Sequence, residues 1–210
     1  MKRVTRGIFR SRKQKILMTI VVLGVTAGIT QTGTYAAFTS TANVAQASIS
    51  SGLVTLAVPG AGTSNRLTLG ASNIVPGDTL QRAVDLNDTG NTNLASITLT
   101  VTATSSSLLD TDTTNGLQLV VDKCSVPWTE SGSSPAYTYT CSGATSSVLA
   151  SRAVIGATLA LSNLTATTAG ATDHLRVTLT FPSGAGNSLQ NQTSAITFAF
   201  IGSQRTATNE

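Results

Sequence analysis

"LASITLTVTAT" (Leu94–Thr104) decides the fold class. In an extended chain successive side chains point to opposite faces, so Ile97, Leu99 and Val101 share one side while Thr98, Thr100 and Thr102 share the other. "DHLRVTLTF" (Asp173–Phe181) repeats the pattern, with Leu175, Val177, Leu179 and Phe181 set against Arg176, Thr178 and Thr180. "AITFAFIG" (Ala195–Gly202) does so again, with Ile196, Phe198 and Phe200 against Thr197 and Ala199. A helix face needs apolar residues three and four apart, so these stretches read as strands with one buried and one wet face. Thr suits the wet face because its branched Cβ fits the pleat while its hydroxyl meets water.

Working outward, six further runs carry strand composition: Ala47–Val58, Asn65–Gly70, Leu80–Asn87, Gly116–Cys124, Ala136–Cys141 and Val154–Leu164. Clusters of Gly, Asn, Asp, Ser and Pro separate them. "VPGDT" (Val75–Thr79) predicts a type II turn, with Gly77 at the position that needs a positive φ. Asn87–Asn93 reads as a polar loop, and Phe181–Gln192 as the longest flexible connection. The class is all-β: an antiparallel β-sandwich of jelly-roll type over 59–210, preceded by a cleavable N-terminal signal helix. No stretch is long or biased enough to be a linker between two domains.

The charge is unevenly placed. The chain of 210 residues has a formal net charge of +4, yet Lys2, Arg3, Arg6, Arg10, Arg12, Lys13 and Lys15 hold seven of its thirteen basic residues, and no acid precedes Asp78. Without residues 1–37 it carries six basic and nine acidic residues, a net charge of −3. The basic balance therefore belongs to an export signal and not to nucleic-acid binding. Behind the basic run lies "ILMTIVVLGVTAGI" (Ile16–Ile29), 14 uncharged residues. That length suits a signal h-region and falls short of the ~20 residues of a spanning helix. Residues 1–37 read as a signal peptide, with an uncleaved N-terminal anchor as the alternative, and the protein as secreted. In an exported chain the only cysteines, Cys124 and Cys141, are expected to be bridged.

Material for catalysis is scarce. The single histidine, His174, has no second histidine at metal-ligand spacing, so a zinc protease lacks its ligands. "LDTDTTNG" (Leu109–Gly116) offers Asp110, Asp112 and Asn115. Val121 stands where a calcium loop needs a bidentate Glu, and the stretch reads as a solvated loop. No cofactor is expected. Trp128, the only tryptophan, lies in the Cys124–Cys141 loop and reads as a plug of the core end or, alternatively, a carbohydrate platform.

The junction "GTYAAF" (Gly33–Phe38), the segment "TANVAQASISSGLVTLAV" (Thr41–Val58), "IVPGDTLQRAVDLNDTGNTNLASITLTV" (Ile74–Val101) and the closing Asp173–Gln204 together resemble the TasA/camelysin family of bacterial exported proteins. The resemblance implies cutting by a SipW-type signal peptidase after Ala37, leaving Phe38 first. The small-x-small rule equally allows a cut after Ala36. It further implies a jelly-roll subunit of extracellular biofilm-matrix fibres, assembled by donor-strand complementation. The Cys124–Cys141 pair and "CSVPWT" depart from the family pattern. Some relatives are labelled metallopeptidases, and the ligands for that activity are missing here.

The residues support that picture on their own. Segment 38–58 is small, uncharged and β-capable, with Phe38, Val44 and Ile49 as its apolar members as far as Ser51 and Ala42, Ala45 and Ala47 small enough for a narrow groove. Such a segment can add to an open sheet edge of another copy, and a head-to-tail contact propagates into a filament. The expected partners are further copies, envelope or matrix components, and the signal peptidase during export. A disordered tail, or a strand in its own subunit's sheet, are the competing readings of the segment. A monomeric cell-surface adhesion or carbohydrate-binding sandwich is the alternative function.

Overall fold

A computed structural model describes residues 39–42, 53–67 and 73–206. The chain divides into two units, Met1–Ala37 and Phe38–Glu210, and every described residue belongs to the second. The expected signal helix lies outside the described residues.

In chain order the strands are β1 (Thr39–Ala42), β2 (Leu56–Ala57), β3 (Thr79–Asp88), β4 (Leu94–Ser105), β5 (Gln118–Cys124), β6 (Thr129–Ser133), β7 (Ala136–Thr140), β8 (Thr145–Ala153), β9 (Gly156–Ala160), β10 (Thr172–Thr180) and β11 (Ala195–Gln204). A one-turn helix, α1 (Leu108–Thr111), joins β4 to β5, and a 3-10 turn, Asn187–Leu189, lies between β10 and β11. One sheet runs β1-β11-β4-β9 and the other β2-β3-β10-β5-β8, with β6 and β7 forming a separate hairpin. Every pairing is antiparallel. With short β2 and the hairpin set aside, eight strands remain. Numbered along the chain, they pair 1-8-3-6 and 2-7-4-5, the jelly-roll order expected from the sequence.

The alternating residues meet as their period requires. Ile97, Leu99 and Val101 of β4 and Phe198 and Phe200 of β11 are buried, in one core with Val84 and Leu86 of β3, Leu119 and Val121 of β5, and Leu175 and Val177 of β10. Each such side chain stabilises the fold by roughly 1.5–3 kcal/mol relative to exposure. The turn at Pro76 also forms as expected: Gly77 has φ 100° and Asp78 N–H donates to Val75 O at 2.9 Å.

Elsewhere the boundaries differ from the sequence reading. Of Ala47–Val58 only Leu56 and Ala57 form a strand among the described residues, with Val54 in an isolated bridge, and of Asn65–Gly70 only Asn65 bridges, to Gly62 and Val84. Asn65 instead ties its loop, donating from Nδ2 to Pro59 O and accepting at Oδ1 from Leu67 N–H. The sheets also take in residues before Pro59, since β1 and β2 both precede it. β6 and β8 carry no clean alternation and were not expected. Glycine and serine fill β6, and in β8 buried Val148 is followed at once by Leu149, which packs on the core edge.

Candidate assembly site

The first strand of the jelly roll is the segment next to the expected cleavage point. β1 is an edge strand held by β11, pairing Thr39 with Ser203, Ser40 with Gly202, Thr41 with Ile201 and Ala42 with Phe200. Its described residues reach only Phe200–Ser203 of that edge. Among the described residues, Ala195–Ala199 of β11 pair with β4 on one side and with no strand on the other. An edge left in this state presents unpaired N–H and C=O groups to any strand that reaches it.

Beside this edge lies a cavity of about 790 Å³ between the sheets. Leu80, Val177, Leu179, Phe181, Ile196 and Phe198 form its apolar walls, while Ile74–Pro76 and part of the β10–β11 connection frame it. Arg82 also lines it. This side chain is 6% exposed, and burial holds its pKa below the ordinary arginine value. Its guanidinium donates to Gln81 O at 2.7 Å and stands 5.8 Å from the Tyr137 ring centre. The opposite end of the sheet is less receptive. β9 is broken by a register shift against β4 and by Thr158 at φ 49°, and residues just after it bond onto β8 through Ser162 and Asn163.

The β6–β7 hairpin lies along the five-stranded sheet and is tied there covalently. Cys124 at the end of β5 and Cys141 just after β7 form the expected disulfide, with Cα atoms 5.7 Å apart. Arg66 grips Glu130 through Nε and Nη2 at 2.9 and 2.7 Å, and Tyr139 Oη donates to the same carboxylate at 2.9 Å. Arg66's hydrogen bonds hold Glu130 below the usual carboxylate range, and the pair raises Arg66. Burial, together with Glu130, pushes the Tyr139 phenol up to about 12. Trp128 Nε1–H donates to His174 O at 2.9 Å, and the Arg176 guanidinium lies 4.5 Å from the indole centre. Trp128 thus anchors the hairpin base. This polar lattice was not legible in sequence, because its members come from five separated stretches.

The structure also places the remaining sequence candidates. Ala36, Ala37, Phe38, Val44 and Ile49 lie outside the described residues. Asp110 belongs to a capping box, accepting from Ser107 N–H at 2.7 Å, while Ser107 Oγ accepts from Leu109 N–H. Burial raises its pKa, but hydrogen bonds from Ser194, Ser107 and Ser106 outweigh this and leave it below the usual value. Asp112 accepts from Thr114 and Asn115 N–H groups, which hold its carboxyl low, so it closes a turn.

The comparisons with known proteins can now be set against this geometry. The fold is an antiparallel β-sandwich with jelly-roll strand order. A family model described as camelysin metallo-endopeptidase matches residues 11–209, and the chain belongs to that family. A search of curated proteins finds no match. The family's printed description implies a metal. Of the chain's acids, histidine and cysteines, only Glu210 lies outside the described residues, and among those described no three such groups converge on a point. His174 Nδ1 is engaged by Asp85 at 2.7 Å. The donor set does not fit a protease zinc site. Family and disulfide together indicate an extracellular or cell-surface protein. No helix among the described residues is long and apolar enough to cross a membrane.

Proposed function

We propose that the protein is a secreted structural subunit of an extracellular fibre. Signal peptidase removes residues 1–37, and the freed N-terminal segment of one copy completes the four-stranded sheet of the next. The observation that carries this reading is the coincidence of three features at one place: β1 is an edge strand, it pairs with only Phe200–Ser203 of β11 among the described residues, and the rest of that edge flanks a cavity with apolar walls. A strand donated in trans can take the pairing that β1 makes within its own chain, because both supply the same backbone groups. If the observed register continues, Val44 falls opposite buried Phe198 and Ala45 opposite Thr197. Residues directly opposite share a face, so Val44 enters the cavity. In this reading the protein is not an enzyme. The carbohydrate-platform alternative draws no support from Trp128, whose N–H and one ring face are already engaged.

The test uses mature protein beginning at Phe38, a Val44→Arg variant, and a chain lacking residues 38–51. Electron microscopy of the mature protein should show fibres. The arginine variant should remain folded by circular dichroism yet fail to polymerise, since a second cation would have to enter between the apolar walls beside Arg82 with no acid among the lining residues to pair it. A synthetic 38–51 peptide should bind the truncated chain and raise its melting temperature. Normal fibres from the truncated chain refute the proposal.

A further inference from the structure

The two sheets differ in charge without exception. β1, β11, β4 and β9 contain no Asp, Glu, Lys, Arg or His at any position. The five-stranded sheet holds Arg82, Asp85 and Asp88 on β3, Asp122 and Lys123 on β5, Arg152 on β8, and Asp173, His174 and Arg176 on β10. The charged sheet is partly covered by its own hairpin. The neutral one has no element of this kind across its outer face among the described residues.

That outer face is a regular grid. Thr102 lies opposite Thr197, Thr100 opposite Ala199, and Thr98 opposite Ile201. All six alternate with buried residues and so point away from the core. Two of the hydroxyls are turned to the backbone: Thr98 Oγ1 donates to Ile201 O at 3.5 Å, and Thr100 Oγ1 accepts from Thr158 N–H at 3.1 Å. Satisfied in this way, they leave methyl groups, alanine and isoleucine as the surface offered to a partner.

We propose that this neutral face is a second interface between copies of the chain, and that it stacks face to face with the same face of a copy in a neighbouring filament. The proposal rests on the assembly reading above for the filament, and on the charge distribution for the face. Each mature copy carries a net charge of −3, so copies repel in general. A face with no ionisable group lets two of them meet without placing like charges in contact or burying a charge. Four strands about 4.8 Å apart and roughly eight residues long present about 500 Å² per copy. A pair then buries about 1,000 Å², at the lower limit for a specific contact. One such contact is weak. Repeated along a filament it is strong, because each further contact is intramolecular once the first has formed. The geometry therefore suits lateral bundling better than a free dimer.

Ser96→Glu and, separately, Thr102→Glu place one carboxylate on each face at exposed positions of β4, away from the β11 edge. Ser151→Glu, exposed on β8, adds the same charge on the other sheet, and Thr102→Val keeps the face neutral. Mature proteins are compared by electron microscopy for filament length and bundle width, and by sedimentation velocity at rising concentration. The expected result is filaments of unchanged length that stay single in the two face variants, with bundling kept in wild type, Ser151→Glu and Thr102→Val, and kept at high salt. Bundling by all variants alike overturns the face and leaves the assembly reading intact. If the wild type forms no filaments, the assembly reading fails, and sedimentation alone decides the face. A concentration-dependent dimer weakened tenfold or more in the face variants supports it, and monomers throughout overturn it.

Discussion

Replacing both cysteines with serine, Cys124→Ser/Cys141→Ser, tests how the hairpin is held. The bridge closes a loop with a sequence separation of 17 residues. In the chain-entropy model, cross-linking a loop of that size raises the free energy of the unfolded chain by about 3 kcal/mol. The native hairpin keeps its other ties in the variant: the two Arg66–Glu130 hydrogen bonds, Tyr139 on Glu130 and Trp128 on His174. The loss should therefore fall on the denatured state, with little change in native structure. For a domain of this size each kcal/mol shifts the melting temperature by about 2–4 °C, so a fall of roughly 6–12 °C is expected. Urea titration should also show a larger m-value, because the released loop exposes more surface on unfolding. Native Trp128 fluorescence should be unchanged. A variant that melts within a degree of the parent, with an unchanged m-value, refutes the reasoning; one that loses its native fluorescence shows the disulfide to be shaping the folded hairpin.

Three further outcomes follow from named groups. Glu130 is held below its unfolded value, so its contribution is present above about pH 4.3 and lost as pH falls through the folded value. Acid should release the hairpin, seen as a change in Trp128 emission, and Glu130→Gln should abolish that transition. Tyr139 is shifted the other way, to about 12, so its contribution is present below about pH 10 and lost as pH rises through the folded value. Absorbance titration should show one phenol ionising near 12, absent in Tyr139→Phe; a Tyr139→Phe variant that keeps this late ionisation contradicts the assignment. Leu99→Ala removes a fully buried side chain from the centre of β4 and should cost about 2–5 kcal/mol in chemical denaturation, whereas Thr102→Ala on the exposed face should change stability by no more than about 0.5 kcal/mol.

The sequence by itself determined the class of fold and the partition of charge. Leu94–Thr104, Asp173–Phe181 and Ala195–Gly202 alternate so regularly that only a half-buried strand satisfies them, and the structure places β4, β10 and β11 there. The bridge between Cys124 and Cys141 followed from there being two cysteines in a chain that reads as exported. The family was legible from the junction and the closing strand pattern. Strands whose neighbours supply their packing were not legible. β8 and β6 are strands because β5 and β7 offer them partners, and Asn65 bridges β3 through the backbone bonds of its neighbours, Ser64 O with Asp85 N–H and Arg66 N–H with Ala83 O.

What only the tertiary structure decided was which strands lie together. A period of two states that a strand has a wet face and a buried one, but it carries no information about the sheet it joins. The eight-strand order, the cavity beside Ala195–Ala199, and the gathering of Arg66, Glu130, Tyr139, Trp128 and Arg176 around one hairpin all depend on pairings between residues far apart in the chain. The same holds for the neutral sheet. Thr100 and Thr178 are equivalent in their local patterns, yet one lies on a sheet without charge and the other two residues beyond Arg176 on a charged one, opposite Gln81 and Val120, because long-range backbone hydrogen bonding, not local propensity, sorts strands into sheets.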